Sequence, residues 1–535
     1  MSIFDVVIVG AGSSGSACAY RLGRANPQLR IAVIEAGGRD WHPYIHVPAA
    51  IVKLIGSPKV DWTMQAEPDG TRNGKVDLWP AGKVLGGSSS INGMLYVRGA
   101  PHDYDRWARH GCPGWSYDDV LPLFKDLEHS AIGGSDIRGK GGPMRVERLR
   151  STHPLAATFV QAAMKAGVPF NADYNGARQD GVAFSQATQQ RGQRYSAARA
   201  FMWPGKKPRN VRLYLGERVT NLTFEGKRCT GVRLADGCLI TGHHTVVSTG
   251  AMGTPKLLML SGIGPAADLK KHGINVLSDV PAIGQGLQDH PEAFVGYEVQ
   301  QRTYNMEINS WRVGLHGLRW ALTGRGPATS PYPHAVAFMK SSKREAHPDI
   351  QVQLGPYAFS FDESGVVPYH KPAVSAAVNV SYPKSRGAVR LRSADWQDKP
   401  IIDHHMFGDS DDLDRLIGGL EQVREIFRTA PFADASAGER LPGENIQTVD
   451  EWRAYVRQTA FLGYHAAGTV KMGDVAKSDV AIGPDLAVKG IAGLSVADAS
   501  VMPDLISGNT NAAAMMIGLK AADILSEQLK MKAAA

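Results

Sequence analysis

The apolar, β-branched run Val6-Val7-Ile8-Val9 ends directly on Gly10-Ala11-Gly12-Ser13-Ser14-Gly15. A run of this kind fits a strand buried on both faces of a parallel sheet. Three glycines in the spacing G-x-G-x-x-G let the chain turn sharply, let a pyrophosphate approach the backbone, and let the following helix pack closely on the sheet. Residues 16–24 read as that helix, whose free N–H groups would face the phosphates. Residues 31–34 read as the next strand, and Glu35 stands twenty positions beyond Gly15, where a carboxylate accepts from ribose hydroxyls. The unit predicts an α/β fold and a bound dinucleotide. Taken alone, it leaves NAD and FAD open.

The remaining 500 or so residues are ample for a large core, since 43% of the 535 are apolar, and the length suggests roughly two to four domains. The net charge of +8 is spread over interspersed acidic and basic residues, which reads as a solvated mixed surface rather than a nucleic-acid interface. Cys18, Cys112, Cys229 and Cys238 form no C-x-x-C and no zinc spacing. Cys229 and Cys238 can meet across a hairpin, but reduced thiols are the expectation. With a strand opening at Ile3, no leader is expected, and no apolar run reaches spanning length. The expected location is cytoplasmic, with peripheral attachment to an inner membrane left open.

Further along, Gly86-Gly87-Ser88-Ser89-Ser90 offers many small donors, suited to an extended polar ligand. Residues 103–128 read as helical, with Ser116 as an N-cap. Further helices are expected over 155–167, 409–427, 448–458 and 512–529, with fraying beyond. Residues 244–250 read as a buried strand running into a helix, with Pro255 at a tolerated first-turn position. From about residue 300 alternating runs such as 350–354 and 373–380 announce a second sheet. His404 and His405 lack a spaced partner for a metal, so no metal site is expected. Trp311, Trp320, Tyr332, Tyr357, Phe359 and Phe361 read as core rather than as a pocket lining.

Taken together, these blocks resemble the glucose–methanol–choline (GMC) oxidoreductases. The resemblance spans nearly the whole chain: the glycine turn with Glu35, Gly86-Gly87-Ser88-Ser89 ending in Asn92, and Gly253-Thr254-Pro255 to Gly264. It continues through Leu287-Gln288-Asp289-His290 and Ser385-Arg386-Gly387 to His465, Gly468-Thr469 and Asn509. Within the family, the chain looks closest to the bacterial choline-, sorbose- and polyethylene-glycol-dehydrogenase-like branch.

The resemblance implies an α/β, Rossmann-like FAD-binding domain made of 1–150, 212–300 and 459–535. A substrate-binding domain of 151–211 and 301–458, α+β and built on an antiparallel sheet, completes it. It implies FAD, with Gly10, Gly12, Ser14 and Gly15 at the pyrophosphate and Glu35 with Ala36 at the adenosine ribose. Val219 falls near the adenine, and Trp62, Val84, Gly87, Asn92, Gly93, Met94 and Leu95 along the ribityl–flavin region. Tyr464, Asp498, Ala499, Thr510 and Asn511 close over the flavin. Some relatives tether the flavin through a histidine where this chain has Ile91, so the FAD is expected to be noncovalent.

Oxidising an alcohol removes a hydroxyl proton and a hydride, and the flavin takes the hydride. The protein must supply a base and a donor to the forming alkoxide. The resemblance assigns these to His465 and Asn509, while His290 reads as bracing its loop. The expected substrate is a primary alcohol or polyol; no carboxylate cage for a quaternary ammonium is readable. Gly93 and Gly463 are small where some oxidases carry bulk, which favours a quinone-like acceptor. An oxidase releasing peroxide from O2 and a hydroxynitrile-lyase-type enzyme are the alternatives. Oligomeric state is not readable.

Overall fold

The computed structural model describes residues 3–132, 136–308, 310–362 and 365–534. Its first sheet is built around the strand Phe4–Val9, which lies between Ile31–Glu35 and Leu239–Val247. Both pairings are parallel, with Val9 opposite Ile34 on one side and Val247 on the other. Val211–Leu215 and Leu494–Val496 extend the parallel part, and the hairpin Val219–Glu225/Arg228–Leu234 adds an antiparallel flap. The central strand thus has the next strand of the sequence on one side and a strand from much later in the chain on the other. A crevice opens at its carboxyl end, which is where open α/β sheets hold ligands.

Ser13–Ala25 packs on this sheet, and Asn511–Ala534, from the opposite end of the sequence, packs along that helix. The last helix runs through Ala534 rather than fraying after Leu529. The Ser14 hydroxyl donates to Ala514 O (2.5 Å), Arg21 Nε to Asp523 (2.5 Å) and Asn26 to Ser526 (2.9 Å). The backbones approach so closely that a Cβ on Gly518 would meet Ser14 O at 2.2 Å.

The second sheet is antiparallel, in the order Ser436–Leu441, Pro291–Val299, Ala373–Val380, Ile350–Gly355, Ala335–Met339, Gly181–Phe184. Every residue of Ala373–Val380 is buried, because Ser410–Arg428 and Pro154–Lys165 cover one face and the interior of the molecule covers the other. Pro291–Val299 belongs to this sheet, so the chain crosses between sheets before Pro291 rather than at 300. Its first residues also pair with Phe461–Leu462, which draws the segment carrying His465 back onto the sheet.

Helix ends follow local chemistry. Ser116, the N-cap expected from the sequence, accepts from an N–H of its helix's first turn, and Asp409 and Thr448 do the same for theirs. The helical stretch expected over 103–128 is two helices, Pro101–Arg109 and Tyr117–Leu127, separated by Gly111-Cys112-Pro113; Gly111 adopts φ +93° and proline cannot continue a helix. Pro255 also departs from expectation. It lies well inside Gly250–Leu260, where it leaves the Ala251 carbonyl without its helical donor, and the Thr469 hydroxyl supplies one at 2.6 Å. All four cysteines are free.

Candidate active site

The glycine turn forms a cradle. Gly10 has φ +96°, and a Cβ there would meet Ser248 O at 2.4 Å; one on Gly15 would meet Gly10 O at 2.0 Å. At Gly12 the only neighbour would be Gly87 Cα at 3.9 Å, so a bare backbone faces open space. Ser16 N–H is the first to bond within the helix, leaving those of Ser13, Ser14 and Gly15 to a ligand. Ser14 offers only that N–H, since its hydroxyl is turned to Ala514. The neighbouring Ser13 hydroxyl reaches Asn511 Oδ1 (2.6 Å) instead. Glu35 braces the turn, accepting from Ala11 N–H (2.9 Å) and Gly37 N–H (2.8 Å). Burial raises its pKa to about 7. Ala36 follows it, half-buried at the end of its strand.

The loop bearing Val84 to Leu95 lies beside this cradle. Val84 bridges to Gly38, and Gly87 touches Gly12 so closely that a Cβ would sit 2.7 Å from Gly12 Cα. Asn92 caps its own turn through Met94 N–H (3.1 Å), Met94 is left-handed at φ +65°, and Leu95 bridges to Ala187. Arg194, which no sequence signal singled out, holds this loop: one amino group reaches Asn92 O (2.6 Å) and Oδ1 (2.8 Å). It is buried with no carboxylate against it, burial lowers its pKa to about 9, and its Nη2 has no partner among the described residues. An unbalanced buried cation with a spare donor beside a bare-backbone cradle fits an anionic dinucleotide.

Lys83 (5.4 Å) and the guanidinium of Arg218 (5.1 Å), the residue before Val219, both lie over the Trp62 ring. Asp498 ties the last strand to the helix Gly250–Leu260, accepting from Gly250 N–H (2.8 Å) and the Thr254 hydroxyl (2.6 Å). Ala499 O accepts from Gly468 N–H (3.2 Å), and Thr510 O from Ala514 N–H (2.9 Å).

His465 and Asn509 are brought together: Asn509 Nδ2 lies 2.8 Å from His465 Nε2. Gln351 Nε2, a donor, reaches Asn509 Oδ1 (3.2 Å), so the Asn509 amine faces the histidine. On the other side, His290 Nδ1 is 2.9 Å from His465 Nδ1. The far nitrogen of His290 faces two carbonyls, Ser381 O (3.1 Å) and Ile506 O (3.2 Å), which only accept. His290 therefore carries its proton there and presents a lone pair to His465. The His465 proton must then sit on Nδ1, leaving Nε2 free to take another. Burial lowers the His290 pKa to about 4; burial, with His290 adjoining, holds His465 well below the usual imidazole range. Both rings are neutral near pH 7.

Asp289 fixes the backbone of this pair. Its carboxylate accepts from His465 N–H (2.7 Å), Tyr464 N–H (3.1 Å) and His290 N–H (2.8 Å). That grip holds Tyr464 at φ +61°, a conformation costly for a side chain of its size. Burial raises the Asp289 pKa to about 7. His290 braces its loop through Ser381 O and Ile506 O, and its other nitrogen also faces His465.

Glu292 also escaped the sequence reading. A Cβ on Gly463 would lie 2.9 Å from His465 Nδ1 and 3.1 Å from Glu292 Oε1, so the carboxyl stands just across that glycine from the histidine. It is held by the amides of Asn379 (3.0 Å) and Gln353 (3.3 Å), and burial raises its pKa to about 8. No cation pairs with it among the described residues. The available signal was an acid within the otherwise mostly apolar strand Pro291–Val299. Tyr332, Tyr357 and Phe359 form a row of half-buried rings, 5.2 and 5.3 Å apart, with Tyr332 O beside Gly93. They border the site rather than fill core. Trp311 is exposed, and the Phe361 side chain lies outside the described residues. His404 is engaged by Asp77 (3.2 Å) and Arg72 (3.3 Å).

The sequence matches the family described as GMC oxidoreductase over residues 4–292 and again over 383–518. It is 39% identical to the oxygen-dependent choline dehydrogenase of Brucella suis biovar 1, over 97% of this chain and 95% of that one. Against the enzyme of the same name from Rhizobium johnstonii it is 39% identical, over 98% and 96%. Among solved structures, the pyridoxine 4-oxidase of Mesorbium loti superposes with a TM-score of 0.89 at 30% identity, covering 98% of this chain and 99% of that one. A formate oxidase superposes with a TM-score of 0.91 at 25% identity, covering 99% of each.

Proposed function

The chain belongs to the GMC oxidoreductase family, and from that premise we propose that it oxidises a primary alcohol or polyol to the carbonyl compound, with His465 as base and Asn509 assisting. The family makes it an FAD-dependent enzyme acting on alcohols. The observation that carries the assignment of roles is the His290–His465–Asn509 relay, which leaves one unprotonated nitrogen, His465 Nε2, facing one amide donor. FAD, when bound, would supply the hydride acceptor. The substrate hydroxyl donates to His465 Nε2, which takes its proton, and Asn509 Nδ2 donates to the oxygen as charge builds there. Gln351 keeps the Asn509 amide turned the right way. The cradle residues Gly10, Gly12, Gly15 and Glu35, with Asn92 and Arg194, hold the cofactor noncovalently, since Ile91 has no nucleophile to offer.

His465→Ala is expected to retain FAD and to slow anaerobic flavin reduction by about a thousandfold; reduction at the parent rate sinks the assignment. We assign a quinone-like acceptor on the small residues Gly93 and Gly463. Stoichiometric peroxide under air, with no faster turnover on a soluble quinone, replaces it with O2.

Glu292 favours a second reading for the substrate. A buried carboxyl without a counter-cation, close to the base, gains ionic pairing if the alcohol carries a quaternary ammonium, as the relatives' name, choline dehydrogenase, suggests. Under this reading Glu292→Gln raises KM for a cationic alcohol at least tenfold and leaves a neutral polyol of similar size unaffected; equal changes for both remove it.

A further inference from the structure

The helix Arg312–Thr323 is turned inside out: none of its residues is buried. At about 100° per residue, Trp311, Leu315, Leu318 and Leu322 share a stripe roughly 60° wide, and this stripe faces solvent, with Trp311 and Leu322 each 76% exposed. The opposite side meets the protein, where Trp320 Nε1 donates to Gly192 O (2.7 Å). Arg312, paired with Glu307 (3.6 Å), and Arg319 flank the stripe, and Arg325 follows the helix. Between Ile308 and Arg344 the sequence contains no aspartate or glutamate.

The neighbouring surface has the same character. The helix lies against Pro327–Thr329, which lies against Pro48–Lys53; there Val52 is exposed, as are Tyr44 and Trp41 just before it. Lys53 and Lys59 are the charges of that stretch, and residues 41–60 contain no acid. An apolar stripe with a tryptophan at its edge and arginines along its flank is the signature of a helix lying in a lipid interface. A second copy of this chain fits less well. A two-fold interface sets each patch against a copy of itself, and residues 308–344 hold no acid to meet the arginines of the other copy.

We propose that this face docks the enzyme on an anionic lipid bilayer, with the apolar stripe in the headgroup boundary and the basic fringe on the lipid charges. It is continuous with the site: Trp320 packs on the turn at Gly192, and the adjoining Arg194 holds Asn92. The docking does not depend on which acceptor the enzyme uses.

The test is cosedimentation of the full-length, FAD-loaded protein with phosphatidylcholine vesicles, with and without phosphatidylglycerol. Binding is expected on the anionic vesicles and to weaken in salt. Leu318→Ser with Leu322→Ser should weaken it at least about tenfold, and Arg319→Gln with Arg325→Gln about fivefold per residue. Turnover with a soluble acceptor should be unchanged in all of them. Absence of binding, equal binding to both vesicle types, or variants that bind like the parent overturns the proposal. So does a stable dimer in sedimentation equilibrium that the leucine variants dissolve, which makes the face a self-association surface.

Discussion

The proton on the His465 ring is placed by a residue that never faces the substrate. His290 is pinned by two carbonyls and so accepts from His465 Nδ1. Replacing it with phenylalanine removes that acceptor while keeping a planar ring. Flavin reduction in His290→Phe is expected to fall about tenfold to a hundredfold, with FAD content unchanged. Because burial depresses the His465 pKa, the acid limb of kcat/KM should lie below the ordinary imidazole value of about 6.5; a limb at or above that value contradicts the buried, neutral pair. Glu292 gives a separate test. Its folded pKa of about 8 exceeds the unfolded value of about 4.3. The folded state therefore binds the extra proton between these values, and stability falls as pH rises through that window. Glu292→Gln should raise Tm by roughly 5 °C at pH 9 and little at pH 5, measured on the holoenzyme. His465 and Asn509 were readable as a motif. Glu292 and the contact of His290 with His465 were not, because their meaning lies in residues distant in sequence: 175 positions separate His290 from His465.

At the scale of elements, what the sequence made legible is what is local. The strand, turn, helix and strand of the first unit, and the cap at Ser116, depend on neighbours within a few positions. Pro255 misled for the opposite reason. Its helix begins earlier than a first-turn proline requires, and the carbonyl it leaves open is satisfied by Thr469, 218 positions away. Thr469→Val keeps the shape and removes that donor. It should cost about 1–3 kcal/mol, read as a lowered Tm, and it should disturb the His465 segment that Thr469 follows.

At the scale of the molecule, the alternating runs after residue 300 announced a second sheet, but not that Pro291–Val299 would join it. That strand reads equally well as a continuation of the first domain, and only its pairing with Ala373–Val380 places it. The contact between Gly12 and Gly87 shows how tightly the two halves of the cradle meet. Gly87→Ala is expected to lower FAD retention through gel filtration at least tenfold, because Gly87 is left-handed at φ +55° and its Cβ would strike Gly12; full retention would show that the cradle yields.

The pairing of Ser13–Ala25 with Asn511–Ala534 has a consequence in time. Ser14 and Ala514 are 500 positions apart, so a growing chain on the ribosome exposes the glycine turn long before the helix that covers it is made. At typical rates of about 5–20 residues per second, that interval is roughly half a minute or more. The nucleotide unit waits through it with its covering face bare, and that face closes only once Asn511–Ala534 has been made. A chain halted before Asn511 should emerge colourless, and a supply of chaperones, more than a supply of flavin, should set the yield of yellow enzyme.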